Sequence, residues 1–197
     1  WREFDTTTRA FVSNGFAVPE AKSDVAWVDE DTLLVGTDWG AGSMTASGYP
    51  RIVKVWRRGK PLAAASALFE GRSTDVAVRS FVDQNGGAQP FVVRAVSFFE
   101  AEYHYAPGLG TPAKLPLPLH SNIEGVLDGR AIFTLREAWD YQGKTYPQGS
   151  IVAYDLQRGT AEPVFAANGT QSVETVAVGR TGLVVQYLEN VSGKAVR

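Results

Sequence analysis

Apolar and polar positions alternate over short runs, and clusters of glycine, proline, asparagine and aspartate separate those runs at intervals of roughly 8–15 residues. Helical spacing of apolar residues is hard to find, so the chain reads as nearly all β. From Ser23 to Asp29, Val25 and Trp27 alternate with smaller or polar neighbours; Asp29-Glu30-Asp31 supplies a turn, and Thr32 to Thr37 follows as a mostly apolar strand. A glycine-rich loop, Asp38 to Pro50, leads into a strand over Arg51 to Arg58. Gly59-Lys60-Pro61 then turns the chain into Leu62 to Phe69.

The same four-strand order returns at Ile123 to Leu127, Ala131 to Leu135, Ile151 to Leu156 and Glu162 to Phe165, with turns at Asp128-Gly129 and Gly159. Trp39 and Trp139 both follow a second strand, Tyr49-Pro50 and Tyr146-Pro147 both close the loop, and Arg58-Gly59 matches Arg158-Gly159. The two tryptophans lie about 100 residues apart, which is two units of about 50 with a third between them, a period expected of propeller blades. The middle unit fits Asp75 to Val82, Phe91 to Phe98, Phe99 to Tyr105 and Lys114 to Leu117.

A four-stranded antiparallel sheet cannot bury both faces alone, so successive units must stack around an axis. The expected fold is therefore an all-β partial β-propeller, with blades at 17–71, 72–119 and 120–168 flanked by half-blades at 1–16 and 169–197. Trp1 to Asp5 and Phe11 to Phe16 read as the last two strands of one blade. Val173 to Val178 and Leu183 to Leu188 read as the first two of another, with the chain ending partway into a third. Half-blades leave edges unpaired, and exposed edges must be covered. They are expected to pair with each other, with the remainder of a larger ring, or with a second copy. The opening Trp1 fits a piece of a longer chain, and the close at Arg197 suits a trypsin-like cut.

Composition narrows the function classes. With 44% hydrophobic and 20% charged residues the chain can pack a core. A net charge of −2 lacks the basic footprint of a nucleic-acid binder. The densest basic run, Arg57-Arg58-Gly59-Lys60, reads as a solvated strand end. The absence of cysteine removes disulfides, thiolate nucleophiles and cysteine-ligated zinc, and leaves the compartment open between cytoplasm and periplasm. The longest apolar run, about seven residues around Ala63 to Phe69, is far short of the about 20 a membrane helix needs. No cofactor and no metal are expected.

The strings Arg2-Glu3-Phe4-Asp5, Pro19-Glu20-Ala21-Lys22-Ser23 and Asp29 to Gly36 resemble the propeller of bacterial prolyl oligopeptidase family proteins. Gly36-Thr37-Asp38-Trp39-Gly40, Gly42-Ser43-Met44-Thr45, Ser47-Gly48-Tyr49-Pro50-Arg51 and Trp56-Arg57-Arg58-Gly59 carry that resemblance further. It is strong from Trp1 to about Gly71 and rests on blade layout beyond. It implies a two-domain serine peptidase in which a propeller covers an α/β-hydrolase domain and restricts access to short peptides. On that view the chain's partners are a hydrolase domain and a short peptide, without nucleic acid or membrane.

The chain itself shows no nucleophile elbow, which needs Gly-x-Ser-x-Gly because a strained turn leaves room only for small residues around the serine. The nearest string, Gly71-Arg72-Ser73-Thr74-Asp75, ends in aspartate and precedes a strand. His104, between two tyrosines of a strand, suits a packing or hydrogen-bonding role, and His120-Ser121-Asn122 suits a surface loop. This chain is thus expected to be inactive alone. The loops after each second strand should emerge on one face, where Asp38, Trp39, Tyr49, Arg51, Arg136, Trp139 and Asp140 are candidates for lining a peptide cleft or facing the hydrolase. The tryptophans can equally plug space between sheets, and the aspartates can serve their own loops. Two rival readings stay open: a stand-alone binding module for peptide or protein, and a glycosidase using a pair among Asp38, Glu100, Glu137 and Asp140.

Overall fold

The computed structural model describes residues 1–197. Its strands follow chain order in antiparallel meanders. The first four-stranded sheet comprises β3 (Asp24–Asp29), β4 (Thr32–Gly36), β5 (Ile52–Arg57) and β6 (Ser66–Glu70); the second comprises β7 (Ala77–Asp83), β8 (Gln89–Ala95), β9 (Ala101–Tyr105) and β10 (Ala113–Lys114). The third is β11 (Ser121–Leu127), β12 (Arg130–Leu135), β15 (Ile151–Asp155) and β16 (Ala161–Phe165), with a separate hairpin of β13 (Trp139–Tyr141) and β14 (Lys144–Tyr146) between its second and third strands. A three-stranded sheet closes the chain: β17 (Gln171–Gly179), β18 (Gly182–Glu189) and β19 (Ser192–Val196). In each meander the second-to-third connection and the entry to the first strand lie at one end of that sheet.

The chain divides into two compact units. One holds Trp1–Val82, Pro90–Phe98 and Tyr103–Lys114; the other holds Asp83–Gln89, Phe99–Glu102 and Leu115–Arg197. In the first, Thr32–Gly36 is buried throughout, as a central strand covered on both faces must be. The two-residue period sends Leu33 and Val35 to a cluster with Phe16, Val18 and Trp56, and sends Leu34 to another with Val53, Val55, Val78 and Val92. In the second unit, Ile132, Ile151 and Ala153 pack with Val185 of the last sheet. Gly125 sits at a bulge with φ 153°, where an added Cβ would lie 3.0 Å from Val178 Cβ. Asp83 and Asn85 hold that junction: Val126 N–H donates to Asp83 Oδ2 at 2.8 Å, and Asn85 Nδ2 donates to the carbonyls of Val126 and Gly179.

Several expectations are corrected. The amino-terminal pair is broken in two: β1 (Phe4–Asp5) pairs with β2 (Ala10–Phe11), while Trp1–Glu3 pairs with Phe16–Val18. The third strand at the end of the chain is present as expected, Ser192–Val196 pairing with Val185–Glu189, and it is reached through Asn190 and Val191 at positive φ. Strands β8 and β9 stop short of Phe98 and Phe99, which sit in the connection, 87% and 85% exposed. Leu62–Ala64 forms a 3-10 turn ahead of β6. Arg58 is no solvated strand end. Its guanidinium grips Glu3 through two bonds of 2.9 and 3.0 Å, reaches Asp31 at 2.8 Å, and lies over the Phe16 ring.

Candidate functional site

Within the first unit, the connection from Thr37 to Arg51 is a cage of short polar side chains. Asp38 Oδ1 accepts from Gly40 N–H at 2.9 Å, and the buried Ser43 hydroxyl accepts from Trp39 N–H at 2.8 Å. Thr45 Oγ1 donates to Val76 O and accepts from Tyr49 N–H. Trp39 Nε1 donates to Ile52 O at 3.1 Å while Lys54 Nζ sits 4.3 Å above its ring. Arg51 closes the cage, donating to Gly42 O at 2.6 Å, to Gly71 O at 2.9 Å and to Glu70 at 2.5 Å.

Asp38, Trp39 and Arg51 are thereby committed to holding the loop. Tyr49, exposed like Asp38, makes no hydrogen bond through its hydroxyl, and its ring is capped by Lys22 Nζ at 4.2 Å. Beside it lies a cavity of about 270 Å³ lined by Lys22, Asp24, Tyr49 and Arg79. Burial raises the Asp24 carboxyl above its ordinary range, although Ser80 N–H donates to it at 2.7 Å.

The adjoining turn, 71–75, is the string closest to a nucleophile elbow, and its geometry is that of an anchor. Asp75 is buried and receives both arms of Arg94, at 2.7 and 2.8 Å, plus Arg72 N–H at 2.7 Å. The Arg94 hydrogen bonds hold its carboxyl below the usual range. Ser73 is exposed on this turn and offers its carbonyl to Ala46 N–H. His104 is buried against Phe69, ring centroids 4.5 Å apart, in keeping with a packing role.

In the second unit the corresponding connection is held by rings. Trp139 is buried and stacks on Tyr141 at 4.6 Å, with Tyr146 at 5.3 Å. Tyr141 and Tyr146 donate their hydroxyls to Gly159 O and Ala161 O, each at 2.7 Å, and Asp140 accepts from Thr145 Oγ1. Burial pushes the neighbouring Tyr154 phenol well up. Trp139 and Asp140, like their counterparts, shape the loop.

Arg136 differs from them: it is exposed, and its guanidinium makes no hydrogen bond or ion pair. It lines a cavity of about 290 Å³ with Thr134, Gln148, Asn168, Gln171 and Ser172. Next to it His120 is bracketed by acids, Nδ1 lying 3.2 Å from Glu137 and Nε2 4.0 Å from Glu100. Glu137 also accepts from His120 N–H at 3.1 Å, so this carboxylate has an assigned structural partner. The sequence names His120, Glu100 and Glu137 separately, and nothing local in it brings them together; the Gln142-Gly143 turn between alternating residues is the signal for the β13–β14 hairpin.

No family model matches the chain. An uncharacterized peptidase, y4nA, of Sinorhizobium fredii is 35% identical over 98% of this chain, and the uncharacterized peptidase RP174 of Rickettsia prowazekii is 24% identical over 78%. Among solved structures, a post-proline cleaving enzyme from Rickettsia typhi superposes with a TM-score of 0.85 at 20% identity, covering 98% of this chain. A prolyl endopeptidase structure described for the role of inter-domain dynamics in catalysis and specificity superposes at 0.70 and 14%. The chain spans 28% and 23% of the two curated relatives, and 31% and 28% of the two solved chains.

Proposed function

Because the chain is a partial β-propeller of the prolyl oligopeptidase type, we propose that it is the non-catalytic cover of a serine peptidase, restricting entry to short peptides. The observation that carries this reading is the match of nearly the whole chain, at a TM-score of 0.85, to about a third of a post-proline cleaving enzyme. The remaining length of such relatives leaves room for a hydrolase domain, the partner proposed here. A cover of this kind selects by size, and it keeps bulk water from charges formed in acyl transfer, which strengthens their stabilisation.

In each sheet, the connection between the second and third strands is proposed to face the hydrolase domain. Asp38, Trp39, Arg51, Trp139 and Asp140 are proposed to position those loops through their contacts, whereas the exposed side chains of Tyr49 and Arg136 make no hydrogen bond and are offered to a partner. Phe98 and Phe99 supply apolar area for a hydrolase domain to cover.

The test compares two proteins. The 197-residue chain should hydrolyse no proline-containing peptide. The product of the whole gene should cleave such an octapeptide and leave the same segment intact inside a folded protein. Turnover by the chain alone, or none by the whole product, contradicts the reading.

A further inference from the structure

The cavity at Arg136, within the second unit, has a lining of one sign. Its lining includes the Arg136 guanidinium and no carboxylate. Its polar groups divide into those already spent and those unspent. Gln171 is spent: Nε2 donates to Glu189 at 2.9 Å and Oε1 accepts from Asn168 N–H at 3.2 Å. The Asn168 carbonyl oxygen is spent on Thr170, which leaves its amide NH2 as a donor.

Arg136, Gln148 and Ser172 make no side-chain hydrogen bond. Most telling is Thr134, which is 4% exposed and whose Oγ1 has no partner. A buried hydroxyl without a partner costs roughly 1–3 kcal/mol, so native proteins keep few of them. Donors therefore outnumber acceptors around a cation, and the nearest acids face elsewhere: Glu137 toward His120, and Glu189 toward Gln171 and Lys194.

We propose that this cavity binds a carboxylate, namely the free C-terminus of a short peptide. The guanidinium of Arg136 matches the two carboxylate oxygens with two parallel N–H donors. The Asn168 amide and the hydroxyls of Ser172 and Thr134 complete a donor shell. Ala167 and Val173 offer apolar wall to the residue preceding the carboxylate. The assignment rests on the peptidase reading for its choice of peptide over other anions, and it adds to that reading a subsite that senses where a peptide ends.

Calorimetric titration of the 197-residue chain separates the sources of the anion. The probes are acetyl-Ala-Pro-Ala-Ala with a free C-terminus, its C-terminal amide, and inorganic phosphate. The free acid should bind at least tenfold more tightly than the amide. Arg136→Ala should erase that preference, Arg136→Lys should keep a part of it, and Thr134→Val should lower it about threefold, all with thermal midpoints near that of the parent. Acid and amide binding alike, or a preference that survives Arg136→Ala, overturns the proposal. Phosphate that binds through Arg136 while the peptide acid does not also overturns it, in favour of a phosphate site. Because binding is read at equilibrium without turnover, a whole-gene product lacking peptidase activity would end the cover reading and leave this result standing.

Discussion

Two connections at equivalent places in their sheets, 37–51 in the first unit and 136–150 in the second, reach an ordered state by opposite means. The first spends backbone amides and short hydroxyls in a cage that Arg51 ties to the turn at 71–75. The second spends aromatic area, with Trp139 between Tyr141 and Tyr146 and two phenols donating to carbonyls. The lesson is that tryptophan at the same position of a repeat need not do the same work. Trp39 packs against the cluster of Phe16, Leu33 and Trp56, with its indole N–H on Ile52 O and Lys54 above its ring, whereas Trp139 stacks within its own hairpin. What each loop leaves over differs too: a tyrosine in one, an unpaired arginine in the other.

The sharpest break falls on the anchor of the polar cage. Arg94→Leu leaves Asp75 charged and buried, and should cost about 3–5 kcal/mol in urea denaturation at neutral pH. Because Asp75 is held below its ordinary carboxyl range, its contribution is full above the unfolded value of about 3.9 and fades as pH falls through the folded one. The gap between parent and variant should therefore narrow on acidification; a gap constant from neutrality to about pH 3 would contradict the assigned role.

Next comes the aromatic loop. Trp139→Ala should lose about 3 kcal/mol and raise amide exchange across 139–146 while leaving 37–51 unchanged. The smallest effect belongs to Arg51→Gln, about 1 kcal/mol, since its carboxylate partner Glu70 is 58% exposed. Its more telling readout is proteolysis, which should open 38–48 and spare 139–146. If both loops respond to either substitution, the comparison between them fails.

The meander was legible in the sequence because a two-residue apolar period and glycine-marked turns are local signals; β3 to β5 and β11, β12 and β15 fall close to where the pattern puts them. The amino-terminal strands were not, because Gly15 and the chain around it break a pairing whose composition reads as continuous. An added Cβ there would sit 2.7 Å from Glu3 Oε2. Phe98 and Phe99 look like strand in the sequence because aromatic residues carry high β-propensity, while their exposure depends on where the turn falls. Of the seven candidate site residues, the sequence located the loops but could not sort the residues within them. That Arg51 is tied down and Arg136 is not depends on carbonyls and carboxylates as far as 20 residues away along the chain.

Amide hydrogen exchange tests the proposed cover most directly, by comparing the 197-residue chain with the whole-gene product. In the longer protein, added protection should concentrate at 37–51, 96–100 and 136–150, the connections at one end of the sheets. Protection found instead at the opposite turns, 30–31, 128–129 and 157–160, would contradict the account.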